Sequence, residues 1–328
     1  FCLIKDIFQV SNSVGRRLDI YLVKKLHPIS RSKIKMYIND SSILVNNFKV
    51  KPGYILQEGD SVRVFIDNKG QDDGPVLPEK MKINVIYEDD YIIAINKPSG
   101  LVVHPGIKNK QGTLVNGLIS QFKNLSNING ESKRGIVHRL DADTSGVMLV
   151  AKTNGAHDWL STQFKQRSIS KTYVSITWGK WKDQNGKIEG WISRKKSDPT
   201  IYQLNDLDQY GKHSITNYSV EKQYDNFARV LFYPITGRTH QIRVHSSHLG
   251  HPVFGDQKYG GGKKKCKGFQ PDLNKFFSEK LNKFGRHALH ALSIEFVPYK
   301  KNGKKIKLDA PIPNEFVYLE KSIIAYET

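Results

Sequence analysis

Cysteine is nearly absent: 328 residues carry two, Cys2 and Cys266, and no Cys-x-x-Cys pair. That excludes a disulfide framework and a thiolate zinc site, and it fits a reducing compartment such as the cytoplasm. No apolar run approaches the about 18 residues that a bilayer-spanning helix needs, and no basic-apolar-small export pattern opens the sequence. Membrane is not expected as a partner. Acidic residues are the third shortage: 31 Asp and Glu stand against 51 Lys and Arg, a formal net charge of +20. Such a surplus attracts polyanions, nucleic acid ahead of an anionic membrane surface.

What is present divides in two. A chain this long exceeds one domain of about 100–200 residues. Residues 67–79, "DNKGQDDGPVLPE", are polar with Gly and Pro and read as a linker between a small domain at 13–66 and a large one at 80–326. In the small domain Leu18, Tyr21, Leu22 and Leu26 recur at helical spacing. Ser30 is placed to cap a second helix that turns Ile34, Tyr37 and Ile38 inward. Short strand-like pieces separated by Asn46-Asn47, Pro52-Gly53 and Gly59-Asp60 follow, giving an αα-β unit. Its second helix is basic, with Arg31, Lys33 and Lys35.

In the large domain strands are predicted at 83–87, 91–95, 135–140, 147–152, 171–178, 214–223, 228–233 and 289–297, and helices at 113–122, 155–167 and 239–249. Strands neighbour strands more often than helices separate them. The expected fold class is α+β, a largely antiparallel mixed sheet with flanking helices. Residues 260–285 read as a basic, glycine-flanked loop leading into an amphipathic piece.

The most charged bend is "GIVHRLDADTSGVMLVAKT", residues 135–153, where His138, Arg139, Asp141 and Asp143 sit between apolar runs. A calcium loop would use Asp141, Asp143, Ser145 and Gly146, but its twelfth position, where a bidentate Glu belongs, is Lys152. A zinc hydrolase built from His240, His245, His248, His251, His287 and His290 lacks zincin spacing, and Arg238 and Arg243 nearby would repel a cation. No metal is expected. The third reading is a reactive carboxylate on a turn, kept ionised against burial by a cation. Arg139, two residues back in an extended run, would point to the same side, though another arginine would serve. An aspartate that merely caps the turn is the alternative.

The segment "HRLDADTSG" at 138–146 matches the His-Arg-Leu-Asp-x-x-Thr-Ser-Gly signature of the RluA-type pseudouridine synthases, and the chain resembles that family. "NKPSGLVVHPG" at 96–106, "KTYVSITWG" at 171–179, "GRTHQIRVH" at 237–245 and "RHALHA" at 286–291 are similar to its other blocks, in order. The small domain resembles an RNA-binding module first known from a small-subunit ribosomal protein. The resemblance implies isomerisation of uridine to pseudouridine in RNA without a cofactor. It implies Asp141 as nucleophile, on the uracil ring or the ribose anomeric carbon, Arg243 in a helix opened by Thr239 as its partner, and Tyr173 stacked on the uracil and taking the proton from its carbon five. Arg139 and His138 would be the RNA-binding residues of this loop, Arg139 filling the place of the extruded base and His138 supporting the loop. Thr144, Ser145 and Gly146 would hold the turn, and Lys97, Pro98 and His104 shape the pocket rim. Arg31, Lys33 and Lys35 would face phosphates. The implied partner is large-subunit ribosomal RNA within a pre-ribosomal particle, met by a monomer. A transfer-RNA synthase and a non-catalytic RNA-binding or ribosome-assembly protein are the alternatives.

Overall fold

The structure, a computed structural model, describes residues 3–26, 29, 31–67, 76–106, 109–207, 211–301 and 303–327. It divides into two compact units, Phe1–Gly74 and Pro75–Thr328.

In the first unit a strand, β1 (Leu3–Gln9), precedes the helices α1 (Leu18–Lys25) and α2 (Arg31–Asn39), followed by β2 (Ile43–Val45) and β3 (Ser61–Asp67). β3 pairs antiparallel with both other strands. Leu18, Tyr21, Leu22, Leu26, Ile34, Tyr37 and Ile38 are buried in one core with Val62, Val64 and Ile66, so the helical spacing is the spacing of the inner face. β1 lies upstream of the 13–66 span and adds a strand to that sheet. Ser30 and residues 68–75 of the linker segment lie outside the described residues.

Among the described residues the second unit builds a ten-stranded sheet from β4 (Asn84–Glu88), β5 (Ile92–Lys97), β6 (Ser145–Ala151), β7 (Ser170–Trp178), β8 (Asn185–Arg194), β9 (Tyr202–Asn205), β10 (Lys212–Gln223), β11 (Phe227–Pro234), β12 (Leu289–Phe296) and β13 (Ile306–Asp309). The order is β4-β5-β6-β12-β7-β11-β10-β8-β9, with β13 on β12. Its pairs are antiparallel except β6 with β12, which run parallel. Helices α3 (Leu114–Gln121), α4 (Asn154–Gln166), α5 (Gln241–His248), α6 (Lys263–Cys266), α7 (Pro271–Phe284) and α8 (Asn314–Glu327) complete it. Two large apolar cores serve the two halves of this sheet, one around Ile93, Met148 and Leu149 and one around Trp178, Phe227 and Phe254, with a small third cluster of Ile192, Val244 and Tyr259. No helix among the described residues is long and apolar enough to cross a membrane.

Three local readings need correction. Residues 135–140 form no strand: Ile136 makes an isolated bridge to Val150, and the chain then loops to Ser145. Ile136 and Leu140 are buried as expected, but the carbonyls beyond them are taken by side chains instead of a neighbouring strand. The helix expected at 239–249 starts at Gln241, because His240 adopts the left-handed conformation, φ 55°, and stands outside it. The Gln241 side-chain oxygen Oε1 accepts from Arg238 N–H (2.9 Å) and the Thr236 hydroxyl (2.7 Å), which fixes the turn before the helix. The basic segment at 260–285 is mostly helical, as α6 and α7.

Candidate active site

The loop from Ile136 to Ser145 enters the sheet at its parallel junction, and each residue from 141 to 145 is held individually. Lys97, fully buried, donates to the carbonyls of Pro98 (2.8 Å), Leu101 (2.9 Å) and Ala142 (2.7 Å). Arg286 donates to the Asp143 carbonyl (3.1 Å) and the Ser145 hydroxyl (3.1 Å), and pairs with Glu315 at 2.9 Å. The Thr144 hydroxyl meets His287 Nε2 at 2.7 Å, and the Ser145 hydroxyl meets His290 Nδ1 at 2.9 Å. Burial pushes both rings down, His287 to about 3 and His290 to about 4, so they are neutral partners for hydroxyls. Gly146 stands opposite Ala291 at φ 117°, and a Cβ there would lie 2.2 Å from the Ala291 carbonyl oxygen. Only glycine lets β6 approach β12 this closely.

So fixed, the loop turns Asp141 into a cavity of about 150 Å³. That is some tenfold more than the roughly 10–15 Å³ one water requires. Arg139, Lys171, Tyr173, Arg238, His240 and Arg243 line it too. Arg243 Nη1 donates to Asp141 Oδ2 at 2.9 Å, bridging residues 102 positions apart. The rest of that guanidinium forks onto Asp256, with Nε to Oδ2 at 2.6 Å and Nη2 to Oδ1 at 2.9 Å. Asp256 is in turn held by the backbone N–H groups of Lys258 and Tyr259, and the Tyr259 ring lies 5.0 Å from the guanidinium carbon. The Tyr259 hydroxyl reaches His240 Nδ1 at 2.7 Å, while His240 Nε2 stands 3.9 Å from Asp141.

Burial alone would raise the Asp141 carboxyl; His240 and Arg243 reverse it and hold the group below the ordinary carboxylate value. Burial lowers His240 itself, so the permanent charge is the guanidinium's. Tyr173 moves the other way: burial, then the Asp141 charge, raises its phenol well above the ordinary value.

Asp141, Tyr173, Arg139 and Arg243 therefore meet in one cavity. Arg243 rather than Arg139 is paired with Asp141; Arg139 lines the same cavity but is exposed. His138 faces inward behind the loop, where Nε2 accepts from Leu149 N–H at 2.8 Å and the ring packs on Phe164. Burial takes that ring to about 3. Its place is scaffold rather than an RNA-facing surface. Lys97, Pro98 and His104 do not line the cavity. Lys97 anchors the loop from beneath, since a lysine that meets three inward carbonyls is drawn out of solvent. Asp256, Arg286 and Lys97 were not legible as a set. The available signal was physical: a buried guanidinium has five N–H donors to satisfy, more than one carboxylate can accept.

In the first unit Arg31 and Lys35, one turn apart on α2, both reach Asp19, at 2.8 and 3.7 Å, with Arg17 at 3.1 Å. Lys33 lies between them on the same helix. Among the described residues no cluster of three His, Cys, Asp or Glu is arranged to hold a metal ion.

Known proteins resemble both units of the chain. The model of the RNA pseudouridylate synthase family matches residues 91–248, and that of the S4 domain residues 16–62. The chain is 34% identical over 318 residues to an uncharacterized RNA pseudouridine synthase of Bacillus subtilis, covering 97% of each. It is 36% identical over 310 residues to ribosomal large subunit pseudouridine synthase D of Escherichia coli O6:H1, covering 94% of this chain and 90% of that protein. Human RNA pseudouridylate synthase domain containing 4 shares the fold, with TM-score 0.54 and 23% identity over 74% of this chain and 93% of that one.

Proposed function

The chain belongs to the RNA pseudouridylate synthase family, and from that premise we propose that it isomerises uridines of large-subunit ribosomal RNA, with Asp141 as the nucleophile. One observation carries the reading: a carboxylate facing a cavity, kept ionised by a guanidinium that is itself locked in place. A carboxylate bonds reversibly to electrophilic carbon and stabilises a developing oxocarbenium, which the detachment of a base from ribose requires. Arg243, its fork fixed on Asp256, orients Asp141 through Nη1, an arrangement that a lysine could not reproduce.

A uridine in folded RNA must leave its stack to reach the cavity, at a cost of a few kcal/mol. Arg139, exposed at the rim, fills the place it vacates. Tyr173 stacks on the uracil. Its hydroxyl acts as a relay, taking the proton from carbon five while handing its own onward, so no free phenolate is needed; N1 of the rotated base gains a proton in exchange. His138, Thr144, Ser145 and Gly146 keep the loop in register.

The target class follows from the relatives named for the large ribosomal subunit and from the S4 unit. On that unit Arg31, Lys33 and Lys35 dock RNA by its phosphates, which position a protein without selecting bases. The enzyme works as a monomer on the pre-ribosomal particle in the cytoplasm and needs neither metal nor cofactor. Tritium release from RNA labelled at carbon five of uridine tests the chemistry: the protein releases it, and Asp141→Asn abolishes release while RNA affinity is kept. Release at the wild-type rate by Asp141→Asn overturns the role. Pseudouridine mapping in cells lacking the gene tests the target; a loss confined to transfer RNA would overturn the ribosomal assignment.

A further inference from the structure

Resting on that reading, we propose that the Lys171 ammonium is a further catalytic residue, which donates to a carbonyl oxygen of the uracil ring while the ring carries negative charge. Lys171 and Tyr173 lie two residues apart on β7 and both line the Asp141 cavity. The other buried cations around the loop are committed. Arg243 serves Asp141 and Asp256. The Lys97 amine meets three carbonyls and Arg286 the loop and Glu315. Arg238 Nε is bound to the His213 carbonyl, and Arg139 is exposed. Among the described residues no acceptor or carboxylate answers Lys171.

Burial lowers its amine to about 8, the direction expected of a charge without a counter-ion, and leaves it mainly protonated at neutral pH. A protein does not keep such a charge half-buried against solvation without a compensating partner. The substrate supplies one at a single stage. If Asp141 attacks the anomeric carbon, the C1′–N1 bond breaks with its electron pair on N1, spread over O2 and O4. If it adds to the ring at carbon six, the pair of the C5=C6 bond moves to carbon five and O4. Either way one negative charge passes from the Asp141 carboxylate to the ring. Arg243 cannot follow it, because Asp256 still neutralises that guanidinium. Lys171 is the half-buried cavity cation without a partner among the described residues and is placed to receive it; the charge returns to Asp141 when its bond to the substrate breaks, as carbon five bonds to ribose on the first route and as carbon five loses its proton on the second.

The test is single-turnover loss of the target nucleotide in RNA carrying uridine or 5-fluorouridine at that position. Fluorine withdraws electrons, so the ring accepts negative charge more readily. Lys171→Met, which keeps the methylene stem, lowers the rate on uridine by about 10²–10³-fold, as loss of one charge-stabilising donor does, with RNA affinity unchanged. Its deficit shrinks about tenfold or more on 5-fluorouridine, where the ring depends less on an external cation. Lys171→Arg retains turnover within about tenfold of the wild type because a cation remains. A Lys171→Met rate within threefold of wild type, an equal deficit on both nucleotides, or an Arg variant as slow as the Met variant each overturns the proposal. If the wild-type protein converts neither nucleotide, the isomerase reading itself has failed instead.

Discussion

Asp19 and Asp141 are both carboxylates held by arginine, and they are built inside out relative to each other. In the first unit the carboxylate is the hidden member: the Asp19 side chain is fully buried, while those of Arg17, Arg31 and Lys35 are nearly half exposed. In the second the cation is hidden. Arg243 is 9% exposed and backed by Asp256 at 1%, while the Asp141 side chain keeps 22% of its surface in the cavity. Burial raises the Asp19 carboxyl and Arg17 and Arg31 more than reverse it, so both groups lie below the ordinary carboxylate value. The shared direction hides opposite uses. On the proposed function, a buried anion fixes a fan of cations toward solvent, where phosphates approach, and a buried cation presents an anion to the reacting carbon.

The sharpest way to break this contrast is Arg243→Lys. It keeps the charge but loses the fork, so one carboxylate must let go; turnover falls about 10³-fold, roughly 4 kcal/mol, with RNA affinity unchanged. A loss below tenfold in kcat would mean that charge alone suffices. Asp256→Asn comes next. It leaves Arg243 with one carboxylate, and the guanidinium is free to turn; we expect kcat to fall by about 10–10²-fold and stability by about 3 kcal/mol, read by denaturant titration. Unchanged kcat would show that Asp141 orients Arg243 and not the reverse. Lys97→Met acts a step further back. Three carbonyls lose their donor, so the loop loosens: stability drops by about 2–4 kcal/mol and kcat by about tenfold. Retained stability would mean that water replaces the amine.

These positions also mark what the sequence can carry. The Asp141 loop was legible because a dense motif compresses the chemistry into nine residues, and the core helices of the first unit because Leu18, Leu22, Ile34 and Ile38 repeat at helical spacing. Asp256 was not, because it lies in a turn with no period, and its meaning comes from an arginine thirteen residues away. Lys97 was misplaced at the rim because nothing local to "NKPSG" shows that three carbonyls turn inward. β8 escaped notice since Gly186 and Gly190 interrupt its alternation. The structure accounts for both: the Tyr218 ring and the Leu204 side chain occupy the space their side chains would need. The left-handed His240 that delays α5 is likewise set by tertiary partners, Tyr259 and Tyr202, rather than by local preference.

The smallest effect expected is the most discriminating for the comparison. Asp19→Asn should leave kcat on a short RNA substrate within about twofold, since no reacting group depends on it, while weakening the hold on long structured RNA by about three- to tenfold as Arg31 and Lys35 lose their anchor. The stability change has a definite pH window. A carboxyl depressed in the folded state contributes stability in full above its unfolded value of about 4 and loses it as pH falls through the lower folded value. Hydrogen exchange of α1 and α2 amides in the full-length chain should therefore differ between wild type and Asp19→Asn at neutral pH, begin to converge as pH falls below about 4, and meet once it passes the lower folded value. If exchange converged instead on raising the pH, Asp19 would be protonated in the folded protein. The cationic fan of the first unit would then rest on something other than a buried charge.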